Sequence, residues 1–89
     1  VAIVDIAGQF GDNLVRCRKQ AGLSQEEVAY RASVHRTEIS QLERGLRVAR
    51  IDTLIKLKFA LEVATDDLLV GITWRSGDYR PGNFVAVED

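Results

Sequence analysis

Eighty-nine residues make one small domain, and a chain of this length buries only about 60% of its unfolded surface, so association with a second copy is a natural aid to stability. The 46% hydrophobic and 28% charged content is that of an ordinary globular chain, and no apolar run approaches the roughly 18 residues of a membrane span, which argues against insertion as the function. The net charge of -1 hides a gradient: residues 14–58 carry ten basic against five acidic side chains, while residues 1–13 contribute -2 and residues 59–89 contribute -4, so any affinity for nucleic acid belongs to the middle of the chain.

Three blocks are expected: an N-terminal arm over residues 1–9, a helical domain over 10–70 and a C-terminal extension over 71–89. Phe10, Leu14, Cys17 and Ala21 recur at i, i+4, i+7 and i+11, the spacing that gathers side chains on one helical face, and Gly22 ends that first helix. Ser24 with Glu27 three residues later forms a capping-box pattern that starts a second helix running to about Ala32. After Ser33 and Val34 a third helix over about 36–44 turns Ile39 and Leu42 inward and stops at Gly45, a residue suited to left-handed backbone. Three or four residues between helices two and three are too few for an antiparallel hairpin, so the two must cross steeply as a helix-turn-helix. A fourth helix carries Ile51, Leu54, Leu57 and Leu61, and a short fifth covers about 65–69. Beyond Gly71, the turn formers Ser76-Gly77-Asp78 and Pro81-Gly82-Asn83 and the alternation of Val85 and Val87 predict two short strands or extended arms.

The stretch Leu23-Ser24-Gln25-Glu26-Glu27-Val28-Ala29, followed by Ser33 through Gly45, closely resembles the Xre family of regulators, which includes the Cro and phage repressor proteins. The likeness continues through Ile51-Asp52-Thr53-Leu54 and Val63 to Leu69. It implies a five-helix, lambda-repressor-like, all-α fold with a short C-terminal extended or β-strand tail, and a DNA-binding transcriptional regulator that is most often a repressor.

The major groove is about 12 Å wide, admits one α-helix and exposes a distinct pattern of donors and acceptors for each base pair. With Val34, Ile39 and Leu42 in the core, the third helix leaves His35, Arg36, Thr37, Ser40 and Gln41 outward, and these are the expected base contacts. Arg36 suits guanine, Gln41 adenine, and the Thr37 methyl suits thymine. The resemblance places the base readers at Arg36, Thr37 and Gln41, a phosphate clamp at Gln25, backbone contacts at Arg44, Arg47 and Arg50, and a structural ion pair between Arg18 and Glu43. The bland alternative for the arginines is a solvated basic loop.

Cys17, the single cysteine, forms no intramolecular disulfide and reads as a core thiol rather than a redox sensor. His35 is the only histidine, which argues against a multi-histidine metal site. Neither metal nor cofactor is expected, and no constellation argues for catalysis. Residues 1–10 lack the basic start of a secretory signal, so a cytoplasmic location is expected. Glu26, Glu27 and Glu38 read as solvated surface or as an acidic patch for RNA polymerase.

Four departures from the family pattern stand out. Ser33 occupies a turn position where glycine is frequent, Ala49 and Arg50 replace a proline and a hydroxyl residue, and Ala64 replaces a capping serine, with Thr65 as the substitute cap. Phe59 falls on the outward face of helix four. Phe59, Leu69, Trp74, Tyr79 and Phe84 therefore define a candidate dimer surface, and the alternative is a tail folded back on its own helices. A homodimer would read a palindromic operator in double-stranded DNA. The competing function is a protein-interaction module, such as an antitoxin or polymerase-binding factor, that engages a protein partner through the C-terminal tail.

Overall fold

A computed structural model describes residues 3–77 and 80–87. Five helices follow in order, α1 (Ile6–Gln20), α2 (Gln25–Ala32), α3 (Arg36–Glu43), α4 (Ile51–Leu61) and α5 (Thr65–Leu68), and then two strands, β1 (Thr73–Gly77) and β2 (Arg80–Val85). The chain is thus mostly helical with a two-stranded antiparallel sheet at its end. Among the described residues, no helix is long and apolar enough to cross a membrane.

One core joins the helices: Phe10, Leu14 and Cys17 from α1, Val28, Ala29 and Ala32 from α2, Ile39 and Leu42 from α3, Leu57, Ala60 and Leu61 from α4, and Leu68 from α5. Ala21 does not join it, because α1 ends at Gln20 and Ala21 is its exposed C-cap. Ile51 likewise remains exposed at the first turn of α4.

The helix boundaries follow from local chemistry. Ser24 Oγ accepts from the Glu27 amide at 3.0 Å and the Glu27 carboxylate accepts from the Ser24 amide at 3.0 Å, closing the capping box of α2. That hydrogen bonding holds the Glu27 carboxyl below the usual carboxylate range. Ser33 closes α2 in the left-handed region at φ 56°, where a side chain is strained. Thr65 does not cap α5. Ala64 is the N-cap there, and Asp67 replaces the missing hydroxyl by accepting from the Ala64 amide at 2.9 Å.

Two contacts seat α3 on α1. Gly11 is buried against the backbone carbonyls of Leu42 and Glu43, and a Cβ there would stand only 2.8 Å from the Glu43 oxygen. Gly45 meets Gly8, where a Cβ would come within 2.9 Å of the Gly8 Cα. The close approach fixes the end of α3 against α1.

The tail forms a hairpin in the register Thr73 to Val85, Trp74 to Phe84 and Arg75 to Asn83, with an irregularity between Arg75 and Gly77. Pro81-Gly82-Asn83 lies inside β2 rather than in a turn. The Trp74 ring covers Gly82, leaving no room for a side chain there, and packs edge-on against Phe84 with ring centroids 5.2 Å apart. The start of the chain joins this sheet: Ile3 bridges Val85, and the Val4 amide donates to the Phe84 carbonyl at 2.9 Å.

Candidate nucleic-acid interface

The centre of the site is Glu43, at the last turn of α3. Arg18 from α1 grips its carboxylate with two nitrogens, Nε to Oε2 at 2.5 Å and Nη2 to Oε1 at 3.0 Å. Both side chains are largely buried, at 15% and 6% exposure, and the guanidinium is held still further above its ordinary range by the hydrogen bond and by the carboxylate charge, against the opposing effect of burial. Arg18 also donates to the Leu23 carbonyl at 3.1 Å, reaching the turn before α2.

From Glu43 the network runs outward. Gln25 Nε2 donates to Glu43 Oε1 at 2.9 Å, and Gln25 Oε1 accepts from Nη1 of Arg36 at 3.4 Å. Arg18, Glu43, Gln25 and Arg36 are thereby linked from the core to the first turn of α3. Gln25 opens α2, beside the free amides of a helix start, which suit an anion.

His35 is the N-cap of α3, and its Nδ1 accepts from the Thr37 amide at 3.3 Å and lies 3.2 Å from the Thr37 hydroxyl. His35, Arg36 and Thr37 are exposed, while Ser40 and Gln41 are half-buried. On the loop from α3 to α4, Arg44 and Arg47 are exposed, and Arg47 Nη1 donates to Gln41 Oε1 at 3.3 Å. Arg50 is the N-cap residue of α4 and lies 3.4 Å from the Asp52 carboxylate, with both side chains solvated.

Among the described residues, the groove beside Phe59 is not shared with the other candidate dimer residues Leu69, Trp74 and Phe84. Phe59 is 77% exposed and lines a groove with Arg31, Ile55, Lys58, Ala60, Glu62 and Val63, none of them on the hairpin. Leu69 is half-buried against the core, and Trp74 and Phe84 pack on each other. Tyr79 lies outside the described residues.

A second network stands apart from the expected residues. Asn13 is fully buried, and its Nδ2 donates to the carbonyls of Leu68 at 3.0 Å and Val70 at 2.8 Å while Oδ1 accepts from Gln9 at 3.1 Å and Arg16 at 3.0 Å. Arg16 adds a bond to the Asp67 carbonyl at 2.7 Å. Together they hold the end of α5 against α1. The one signal in the sequence is a polar residue three positions after Phe10, inside the apolar spacing.

The chain is similar to known helix-turn-helix proteins. The sequence profile of the Helix-turn-helix family matches residues 14–68. The control protein C.BamHI from Bacillus amyloliquefaciens is 39% identical over 61 residues, which cover 67% of this chain and 75% of that protein. The HTH-type transcriptional regulator y4dJ from Sinorhizobium fredii is 38% identical over 66 residues, 74% of this chain and 86% of the relative. Among solved structures, the restriction-modification controller protein C.AhdI from Aeromonas hydrophila superposes with a TM-score of 0.68 at 32% identity, covering 70% of this chain and 94% of its own.

Proposed function

From the premise that the chain belongs to the helix-turn-helix family and is an Xre-type DNA-binding transcriptional regulator, we propose that it acts as a homodimeric repressor, occupying a palindromic operator with one α3 in the major groove of each half-site. The observation that carries this reading is the bonded series Arg18, Glu43, Gln25 and Arg36, which fastens the start of α2 and the readers on α3 to α1. A helix held in this way offers its side chains to the groove at little further cost in ordering.

In this reading Arg36, Thr37 and Gln41 contact bases, helped by His35 and Ser40 at the edges of the helix. Gln25, Arg44, Arg47 and Arg50 meet phosphates, which supply affinity without reading sequence. The protein works beside the chromosome in the cytoplasm and needs neither metal nor cofactor.

Dimerisation is supported by α4, where Ile51, Ile55 and Phe59 fall at i, i+4 and i+8 and are 77%, 61% and 77% exposed. A row of three large apolar side chains facing water on one helix is what a partner copy would cover. The hairpin, with Trp74 54% exposed, is the surface on which a protein partner would act instead.

Selection of bound duplexes from a random pool tests the proposal. Enrichment of an inverted repeat with half-site centres about 34 Å apart, or a multiple of that, is expected. Enrichment of a single, unrepeated site by a chain that sediments as a monomer would contradict the dimer, and no enrichment at all would favour the interaction module.

A further inference from the structure

The hairpin has one covered edge and one open edge. On the covered side the Val4 amide donates to the Phe84 carbonyl at 2.9 Å, and Ile3 bridges Val85. In an antiparallel ladder the N–H and C=O of one residue point to the same side, so Phe84 is turned away from β1 and its register partner Trp74 is turned away from β2. The Trp74 N–H and C=O therefore lie on the outer edge of β1, where no main-chain hydrogen bond reaches them among the described residues. Thr73, Trp74, Arg75 and Ser76 are exposed along that edge. β1 has no proline to block pairing and a single charge, Arg75.

An open edge is a template for another strand, and its pattern of charges and bonding groups selects which one. Set antiparallel against a second copy of itself, with the two-fold axis at Trp74, β1 is self-complementary. Each Trp74 amide meets the carbonyl of the other, each Arg75 falls opposite Thr73 of the second copy, and the two indole rings stand side by side on one face. The neighbouring registers are worse. An axis at Arg75 sets two guanidiniums directly opposite each other in a close pair, and an axis at Thr73 opposes Trp74 to Ile72, whose amide already donates to the Leu69 carbonyl at 3.1 Å. We propose that the outer edge of β1 is a self-association surface whose occupant is the same edge of a second copy, in the register centred on Trp74. This contact goes beyond the α4 dimer, because the groove beside Phe59 contains no hairpin residue and the two contacts use different parts of the chain. A chain with two isologous contacts joins dimers into larger assemblies. Two five-residue strands bury less than the roughly 1,000 Å² of a stable interface, so the contact is weak by itself.

The test is sedimentation equilibrium of the full chain carrying Ile55→Asp, which removes the proposed α4 contact and leaves β1 to be read alone. Its mean mass is expected to rise from monomer toward dimer between about 0.05 and 1 mM. In this background Thr73→Glu sets a carboxylate opposite each Arg75 and is expected to tighten association about 2- to 30-fold, whereas Thr73→Lys is expected to weaken it by a similar factor. Thr73→Lys combined with Arg75→Glu restores pairs of opposite sign and is expected to associate at least as tightly as the Ile55→Asp parent. An effect on folding alone does not reverse with the sign of the charge. A chain that stays monomeric to about 1 mM overturns the proposal and leaves the edge to a different chain or to none. Association that is the same in Thr73→Glu and Thr73→Lys overturns it as well. Neither result touches recognition by α3 or the α4 row, which Ile55→Asp tests separately at tens of micromolar.

Discussion

Glu43 accepts from two residues on two other helices, so its removal strips both at once. Glu43→Ala leaves the Arg18 guanidinium largely buried without its counter-charge and is expected to destabilise the fold by about 3 to 5 kcal/mol. Replacing both partners, as Arg18→Met with Glu43→Leu, should cost far less, because no charge is then stranded. Urea unfolding of the three chains checks this, and equal stability of wild type and Glu43→Ala would contradict it. The position of Arg18 and Glu43 was legible through resemblance to a family in which these places are paired. Asn13 was not, because its Nδ2 donates to main-chain carbonyls 55 and 57 residues away, which leave no mark in side-chain chemistry.

At the scale of elements, the capping box of α2 and the stop at Gly45 were legible because each depends on residues within a few positions of one another. The start of α1 was less so: it begins at Ile6, inside the expected N-terminal arm, with Asp5 providing no side-chain cap. Its Gly11 has a reason that only packing reveals, the close approach of α1 to the end of α3. Pro81-Gly82-Asn83 carries turn chemistry yet forms a strand, because Gly82 is required beneath Trp74. Ser33 closes α2 with a left-handed backbone, so Ser33→Gly is expected to raise stability by about 0.5 to 1 kcal/mol, visible as a higher Tm. A lower Tm would show that the serine side chain has a compensating contact. Glu27 predicts a pH effect with a definite sign. Its carboxyl is depressed from 4.5, so its contribution to stability is complete above that value and is lost as the pH falls through the lower folded-state value. Glu27→Gln should therefore narrow its stability gap to wild type as unfolding is measured from pH 6 toward pH 3, and a constant gap would contradict the assignment.

For the whole molecule, the two ends of the chain are tied together, since Ile3 and Val4 pair with the outer edge of β2. This use of the tail was not legible, because exposed aromatics and turn residues are equally consistent with an arm, a hairpin or an interface. Trp74 and Phe84 pack edge-on against each other while remaining part exposed, and the α4 row of Ile51, Ile55 and Phe59 is the surface proposed for a partner copy. Ile55→Asp places a charge at the middle of that row and is expected to sediment as a monomer at tens of micromolar, with the affinity for an inverted repeat falling toward that for a single half-site. Retention of a dimer in this variant would move the interface elsewhere.

In the proposed reading of the major groove by α3, the leading contact is Arg36, which is exposed at the first turn of the helix and joined through Gln25 and Glu43 to the core. The most direct measurement is the affinity of Arg36→Ala, relative to wild type, for the selected operator and for mixed-sequence duplex at the same salt concentration. A loss of about 5- to 150-fold is expected on the operator, the equivalent of about 1 to 3 kcal/mol, with a much smaller loss on mixed DNA. Equal binding of both proteins to the operator, or an equal loss on both DNAs, would contradict it.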